Sequence, residues 1–431
     1  MLTAIVVVFR RVDRLKLGLQ IAQPCLLGLA RVVLVLCLIQ LVSACASLER
    51  QPAEPANLTE QATVLGIPNA RFWPDTQGPA LVHEAVEALA RERAAQLAAG
   101  PNGALPPANF LAVSGGSDNG AFAAGLLVGW SDSGTRPSFK LVTGVSTGSL
   151  VAPFAFLGPA YDQQLRAVYT GIGPENIYEQ RGLLSAVFNE SLADTAPLCL
   201  LISHYANADM LAAIANEYKK GRLLLIGTTN LDVQRPVIWN IGAIAASGRP
   251  EALDLFRKIL LASAAVPGVF PPVLIDVEAG GRHYQEMHVD GGAVMQTFLY
   301  PPQIGRLVNL REGPLARQRH AYVIRCGRLD PEWASVDRRL LTITGRAIST
   351  MIHYSGYNDV LRIYSTAQHD GVDYNLAYIG PDFTVEHRED FDPVYMKALV
   401  DYGYQKAIHG YPWHKAPPVL AQPEGRQASA P

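Results

Sequence analysis

The sequence predicts an α/β fold of three layers, α/β/α, around a mostly parallel central sheet. Two observations carry this. Short apolar, often β-branched runs alternate along the chain with longer stretches of helical composition, as in folds that bury a parallel sheet between helices. In addition, three glycine-bearing turns each follow such a run directly. Open α/β sheets form their sites at the carboxyl ends of strands.

Taken in order, strands are expected over 109–114, 140–143, 222–228, 237–240, 284–289, 321–326 and 373–378. The first holds Phe110-Leu111-Ala112-Val113, four consecutive apolar residues. The second ends in Leu141-Val142-Thr143, and 284–289 alternates apolar with polar residues. Helices are expected over 121–130, 149–157, 210–219, 253–264, 340–354 and 395–408. The segment 121–130 is apolar almost throughout and reads as a buried helix.

The front of the chain has a different composition. Arg10, Arg11, Arg14, Lys16 and Arg31 precede the apolar run 32–41, which is too short to favour a spanning helix. The run ends in Val42-Ser43-Ala44-Cys45, which resembles the bacterial lipobox. That resemblance implies a signal peptide over 1–44, lipidation of Cys45 and anchoring to a membrane surface. An ordinary signal peptide or an uncleaved anchor is the alternative. Ala46, in place of aspartate, points by the same resemblance to an outer-membrane lipoprotein facing the periplasm.

Removing 44 residues from 431 leaves 387, enough for one large domain. The expected division is a tether with a helix over 45–102, a large α/β domain over 103–414 and a disordered Pro/Ala/Gln-rich tail over 415–431. The formal charge is −2, and no basic run follows the leader, so nucleic-acid binding has no support. Of five cysteines, Cys199 and Cys326 would remain as side chains free to pair or not. No H-E-x-x-H or comparable ligand spacing occurs, and neither metal nor cofactor is expected.

The most informative segment is Gly144-Val145-Ser146-Thr147-Gly148, a G-x-S-x-G pentapeptide straight after a strand. A strand turning sharply into a helix crowds its backbone, and Gly144 and Gly148 remove the Cβ atoms that would clash. Ser146 is thereby exposed above a helix N-terminus, as an acyl-transfer nucleophile requires. An ordinary Gly/Ser turn has the same letters. About thirty residues upstream, Ser114-Gly115-Gly116-Ser117-Asp118-Asn119-Gly120 joins a strand to a helix. Backbone N–H groups of such a turn hold a phosphate or an oxyanion. The G-x-G spacing of a dinucleotide site and the G-K-[ST] of a P-loop are both missing, which favours the oxyanion. Third comes His288-Val289-Asp290-Gly291-Gly292, a carboxylate on a tight turn.

Together, and in this order, the three segments resemble the patatin-like phospholipase family, with its Gly-rich oxyanion loop, G-x-S-x-G and D-G-[GA]. Further likeness lies in Ala262-Ser263-Ala264-Ala265-Val266-Pro267-Gly268-Val269-Phe270-Pro271-Pro272 and in Gly227-Thr228-Thr229-Asn230-Leu231-Asp232. The resemblance implies a patatin-like fold and a lipid acyl hydrolase with a Ser146–Asp290 dyad and an acyl-enzyme. It also implies an oxyanion hole from Gly115, Gly116 and Ser117, with Gly120, Gly144, Gly148, Gly291 and Gly292 as motif glycines. One departure stands out: the family loop G-G-G-x-[RK]-G has Ser117 for its third glycine and Asn119 for its basic residue.

His288 and Ser263 are expected to be structural, and the run 196–202 to be core or part of an acyl-binding wall. Two competing readings remain. A Ser-His-Asp α/β-hydrolase would draw on a late histidine, His353, His369, His387 or His409. A catalytically weak envelope protein that binds lipid on the same fold is the other.

Overall fold

In the computed structural model, residues 50–99, 105–180, 191, 193–300 and 317–420 are described. The leader, Cys45 and the tail beyond 420 lie outside them. Strands, in chain order, are Arg71–Phe72 (β1), Ala108–Val113 (β2), Leu141–Val145 (β3), Glu179–Gln180 (β4), Ala193–Asp194 (β5), Leu223–Asn230 (β6), Arg235–Asn240 (β7), Val273–Ala279 (β8), Arg282–Asp290 (β9), Arg319–Arg325 (β10) and Asp373–Tyr378 (β11). Helices are Gly78–Ala99 (α1), Gly120–Asp132 (α2), Thr147–Leu157 (α3), Asp162–Thr170 (α4), Ala196–Tyr205 (α5), Ala208–Lys219 (α6), Ile241–Ala246 (α7), Ala252–Ala264 (α8), Leu340–Asp370 (α9) and Pro393–Ile408 (α10).

The main sheet runs β1-β7-β6-β3-β2-β10-β11, and its five strands from β6 to β11 are parallel. β7 and β1 extend it antiparallel at one edge. Side chains alternate between faces, so each strand feeds two cores. Leu111 and Val113 of β2 join Val142, Leu224 and Ile226 in one core, with α2, α3, α4 and α8. Ala112 joins Leu141, Val145, Leu225 and Val323 in the other, with Leu81 and Ala88 of α1 and Val360 and Ile363 of α9. This is the three-layer α/β/α architecture expected from the alternating runs.

Several boundaries differ from expectation. The described residues from Pro52 onward form one unit, so most of the expected tether packs with the domain. Arg71 explains part of this, since its guanidinium pairs with Glu286 of β9 in the interior. The helix expected to stop at 354 continues to Asp370 and ends on Gly371 in the left-handed conformation, φ 65°. The strand expected to stop at 228 continues through the fully buried polar pair Thr228 and Asn230. β8 was not expected, although its burial alternates residue by residue opposite β9.

Candidate active site

β6 brings the motifs together. Along one of its edges β3 pairs up to Val145 opposite Gly227. At the next position on β6, Thr228, the partner is Asp290 of the antiparallel strand β9. β3 and β9 therefore meet end to end on the same edge. The residue leaving β3, Ser146, and the last residue of β9, Asp290, converge there.

Ser146 has φ 55° and ψ −128°, a strained conformation for an L-residue. Neighbours hold it in place. Its N–H donates to Ser263 Oγ at 3.0 Å, and Ser263 Oγ donates to Gly227 O at 2.7 Å. Its carbonyl accepts from Ser149 N and Oγ at 2.8 and 2.6 Å. The flanking glycines permit close approach: a Cβ on Gly144 would lie 2.4 Å from Gly148 O, and one on Gly148 would lie 2.2 Å from Val113 O. Ser263 thus braces the elbow, a role consistent with its structural reading.

Asp290 is buried, and Oδ1 accepts from Gly292 N at 2.6 Å. Oδ2 is buried with no partner in hydrogen-bonding geometry. Burial pushes the carboxyl up to about 7, opposed by the Ser146 hydroxyl and the Gly292 N–H, which favour the ionised form. The serine hydroxyl is therefore beside the carboxylate without being aligned on it, as in many substrate-free catalytic pairs. Gly291 lets this turn press on β6, because a Cβ there would lie 2.6 Å from Gly227 O.

The third segment passes over the serine: a Cβ on Gly115 would sit 3.1 Å from Ser146 Cβ. The expected donor set needs one correction. Gly115 N–H is turned away and donates to Gln296 O at 2.8 Å, so it is not free for an oxyanion. Among the described residues no acceptor takes the N–H of Gly116 or Ser117. Gly116 leaves no room for a side chain, since a Cβ would lie 1.8 Å from Cys326 O, and Ser117 has φ 54°. Gly120 begins α2 against Thr147 Oγ1, 2.2 Å from where its Cβ would be.

Side chains of this loop face the C-terminal segment. Asp118 Oδ2 accepts from His387 Nε2 at 2.6 Å and Phe391 N at 3.0 Å, and Asn119 Oδ1 accepts from Tyr395 OH at 2.7 Å. His387 is therefore a loop anchor, its pKa raised chiefly by the hydrogen bond to Asp118. No hydrogen bond or ion pair joins Ser146 to His353, His369, His387 or His409 among the described residues. His288 is fully buried between Glu286 and Thr228, in agreement with its structural reading.

Sequence reasoning passed over two residues. Gln296 bridges the loops, taking the Gly115 N–H and donating through Nε2 to Gly292 O at 3.0 Å. Arg325 at the end of β10 donates to Gly115 O at 2.8 Å. Neither stands in a motif, and only the pairing of β10 with β2 places Arg325 beside the loop. In the run 196–202, Leu198, Leu201 and Ile202 wall a cavity of about 30 Å³ with Leu150, Pro153 and Phe154 of α3. Cys199 and Cys326 are both free thiols. Among the described residues no cluster of three or more His, Cys, Asp or Glu is placed to hold a metal.

Residues 111–300 match the family model of the patatin-like phospholipases. This segment is a patatin-like phospholipase domain. The match takes in the serine elbow, the Asp-Gly-Gly turn and the glycine loop before them. Among solved structures, VipD from Legionella pneumophila is similar with a TM-score of 0.34 and 11% identity, covering 71% of this chain and 66% of that one. The chain thus spans just under two thirds of that protein's length. No curated protein matches the sequence.

Proposed function

We propose that this patatin-like domain is a lipid acyl hydrolase that cleaves carboxylic esters through a Ser146–Asp290 dyad. The observation that carries the reading is the register on β6, which sets Val145 and Asp290 at consecutive positions of one edge. Ser146 Oγ attacks the acyl carbonyl while its proton passes to the buried carboxylate. A base near 7 suits this better than an aspartate at its ordinary 3.8. Negative charge on the carbonyl oxygen is met by the N–H groups of Gly116 and Ser117. Collapse expels the alkoxide, which takes the proton from Asp290 as it leaves as alcohol, and the acyl-serine remains; water then attacks it with the freed Asp290 carboxylate accepting the proton, which passes to Ser146 Oγ as the carboxylic acid departs. The substrate is a phospholipid, lysophospholipid or related lipid ester.

A fluorophosphonate probe should label the wild-type protein and not Ser146→Ala. Labelling that persists in Ser146→Ala would assign the nucleophile elsewhere. Individual replacement of His353, His369 and His409 should leave hydrolysis largely intact, whereas His387 holds the glycine loop through Asp118 and its replacement does not discriminate dyad from triad. Loss of turnover in one of the first three variants, properly folded, would favour a Ser-His-Asp triad instead.

The lipobox-like Val42-Ser43-Ala44-Cys45 supports placement of this hydrolase on the outer membrane by acyl chains on Cys45. Several chains anchor stably where one is marginal. Mass spectrometry of the N-terminal peptide should find a lipidated cysteine, and Cys45→Ser should leave the membrane fraction. An unmodified N-terminus would overturn the anchoring and leave the dyad standing.

A further inference from the structure

Arg325 is buried to 4% exposure, and no carboxylate among the described residues forms an ion pair with it. Among the described residues, Nη1 donates to Ser114 Oγ at 3.1 Å and to Gly115 O at 2.8 Å, while Nε has no partner. The carboxylate whose field it feels, Asp359, is engaged by Gln296 N at 2.6 Å, Thr297 N at 3.2 Å and Arg362 at 2.8 Å. The fold also makes room for the guanidinium. Gly356 lies within α9 where a Cβ would be 2.7 Å from Arg325 Cζ. Burying a cation among neutral groups is costly, and removal of its hydration is offset only when a negative charge arrives.

The partner it touches locates that charge. Gly115 C=O and Gly116 N–H belong to one peptide unit, so a cation on the oxygen polarises the unit and strengthens the N–H as a donor. Gly115 itself lies against Ser146, as its 3.1 Å virtual contact shows. We propose that Arg325 is a positioning residue for ester hydrolysis. Through the Gly115–Gly116 peptide it supplies the positive charge that balances the oxyanion, which this chain lacks within the loop because Asn119 stands at the basic position. The proposal rests on the Ser146 reading. An ester carbonyl carries little charge before attack, so Arg325 acts on turnover rather than on substrate binding.

The test compares Arg325→Lys, Arg325→Gln and Gly356→Ala with wild type. Readouts are kcat and KM on a soluble p-nitrophenyl ester, fluorophosphonate labelling of Ser146, and Tm. Gln keeps a donor for Gly115 O but no charge, and should lower kcat about 10²-fold with KM little changed. Lys should recover at least about tenfold over Gln, because the charge is what matters. Gly356→Ala keeps the charge but displaces the guanidinium, and should fall between Gln and wild type.

Equal kcat loss in Lys and Gln, or a loss confined to KM, would overturn the proposal. So would unchanged kcat in folded Arg325→Gln. If Arg325→Gln fails to fold, Gly356→Ala decides, and unchanged kcat there overturns it. Wild-type protein that takes no label at Ser146 would instead bring down the hydrolase reading on which this one stands.

Discussion

Asp290 shows how one residue would serve the proposed dyad at the expense of stability. Buried beside Ser146, its carboxyl titrates near 7 when folded and near 3.8 when free. In the proposed dyad the ionised form is the base, so kcat/KM should rise with pH through about 7. The native chain holds the extra proton between 3.8 and 7, so this group's contribution to stability falls as pH rises through that window and stays low above it. Asp290→Asn should lose turnover by about 10²–10⁴-fold. The same variant should gain stability at pH 8, by on the order of a few kcal/mol. Denaturant unfolding at pH 5 and pH 8 checks this, and a variant less stable than wild type at pH 8 would contradict the burial argument.

Ser117 is a second case of local strain. At φ 54° a serine is in the region that favours glycine, while its N–H is one of the two free loop donors. Ser117→Gly should be neutral or stabilising by about 0.5 kcal/mol, the relief of strain being partly offset by a more flexible unfolded chain. Ser117→Val cannot hold this φ with a β-branched side chain, and should lose both stability and labelling of Ser146. Thermal melts paired with probe labelling separate the two outcomes.

At the scale of elements, the oxyanion loop depends on a pair of helices. α2 leaves the loop, and α10 follows the segment whose His387 and Phe391 grip Asp118. The pair packs backbone to backbone. A Cβ on Gly125 would lie 2.0 Å from Val400 O, and one on Gly403 would lie 2.5 Å from Phe122 O. Gly125→Val should therefore force the helices apart and cost about 1–3 kcal/mol or more. It should also slow the labelling of Ser146 by shifting the loop. A melt unchanged from wild type would show that the helices can part without strain. The glycine spacing of this pair was invisible in the sequence, because a glycine in an apolar helix looks like a weak helix former until the opposing backbone is known.

Element ends were legible where chemistry is local and illegible where it is not. The turns at Ser114, Ser146 and Gly291 could be read because the glycines that let the backbone turn lie within two residues of each. The extension of β6 through Thr228, Thr229 and Asn230 could not, since polar residues there are buried by pairing with β7 and β9. α9 runs past Gly356 for a related reason: Arg325, distant in sequence, occupies the space that the glycine leaves.

For the whole molecule, a second buried carboxyl adds to the effect of Asp290. Glu54 lies 6% exposed in the segment that crosses to Arg71 and Glu286. Burial and then the nearby Glu286 push it up to about 7. Glu286 itself is driven up by burial but is held down to about 2 by Arg71 and His288. Its stabilisation is thus present above pH 4.5 and is lost only as pH falls toward 2, whereas that of Glu54 and Asp290 declines as pH rises toward 7. Wild-type Tm should fall between pH 5 and pH 8 relative to Asp290→Asn/Glu54→Gln. The gains of the single variants at pH 8 should add, as expected for sites without shared partners. His288, whose burial lowers its pKa, is retained in all of these proteins and cancels in the comparison.

By itself the sequence determined the layered α/β architecture, the glycine-flanked serine and the Asp-Gly-Gly turn. Those depend on periodicity and on backbone conformations set within a few residues. Tertiary structure alone decided that Ser146 and Asp290 share an edge of β6, that Gly115 N–H is taken by Gln296, and that an unpaired arginine sits behind the oxyanion loop. Each of these is a contact between residues dozens to hundreds of positions apart, and burial and hydrogen-bond geometry have no signature in the order of letters.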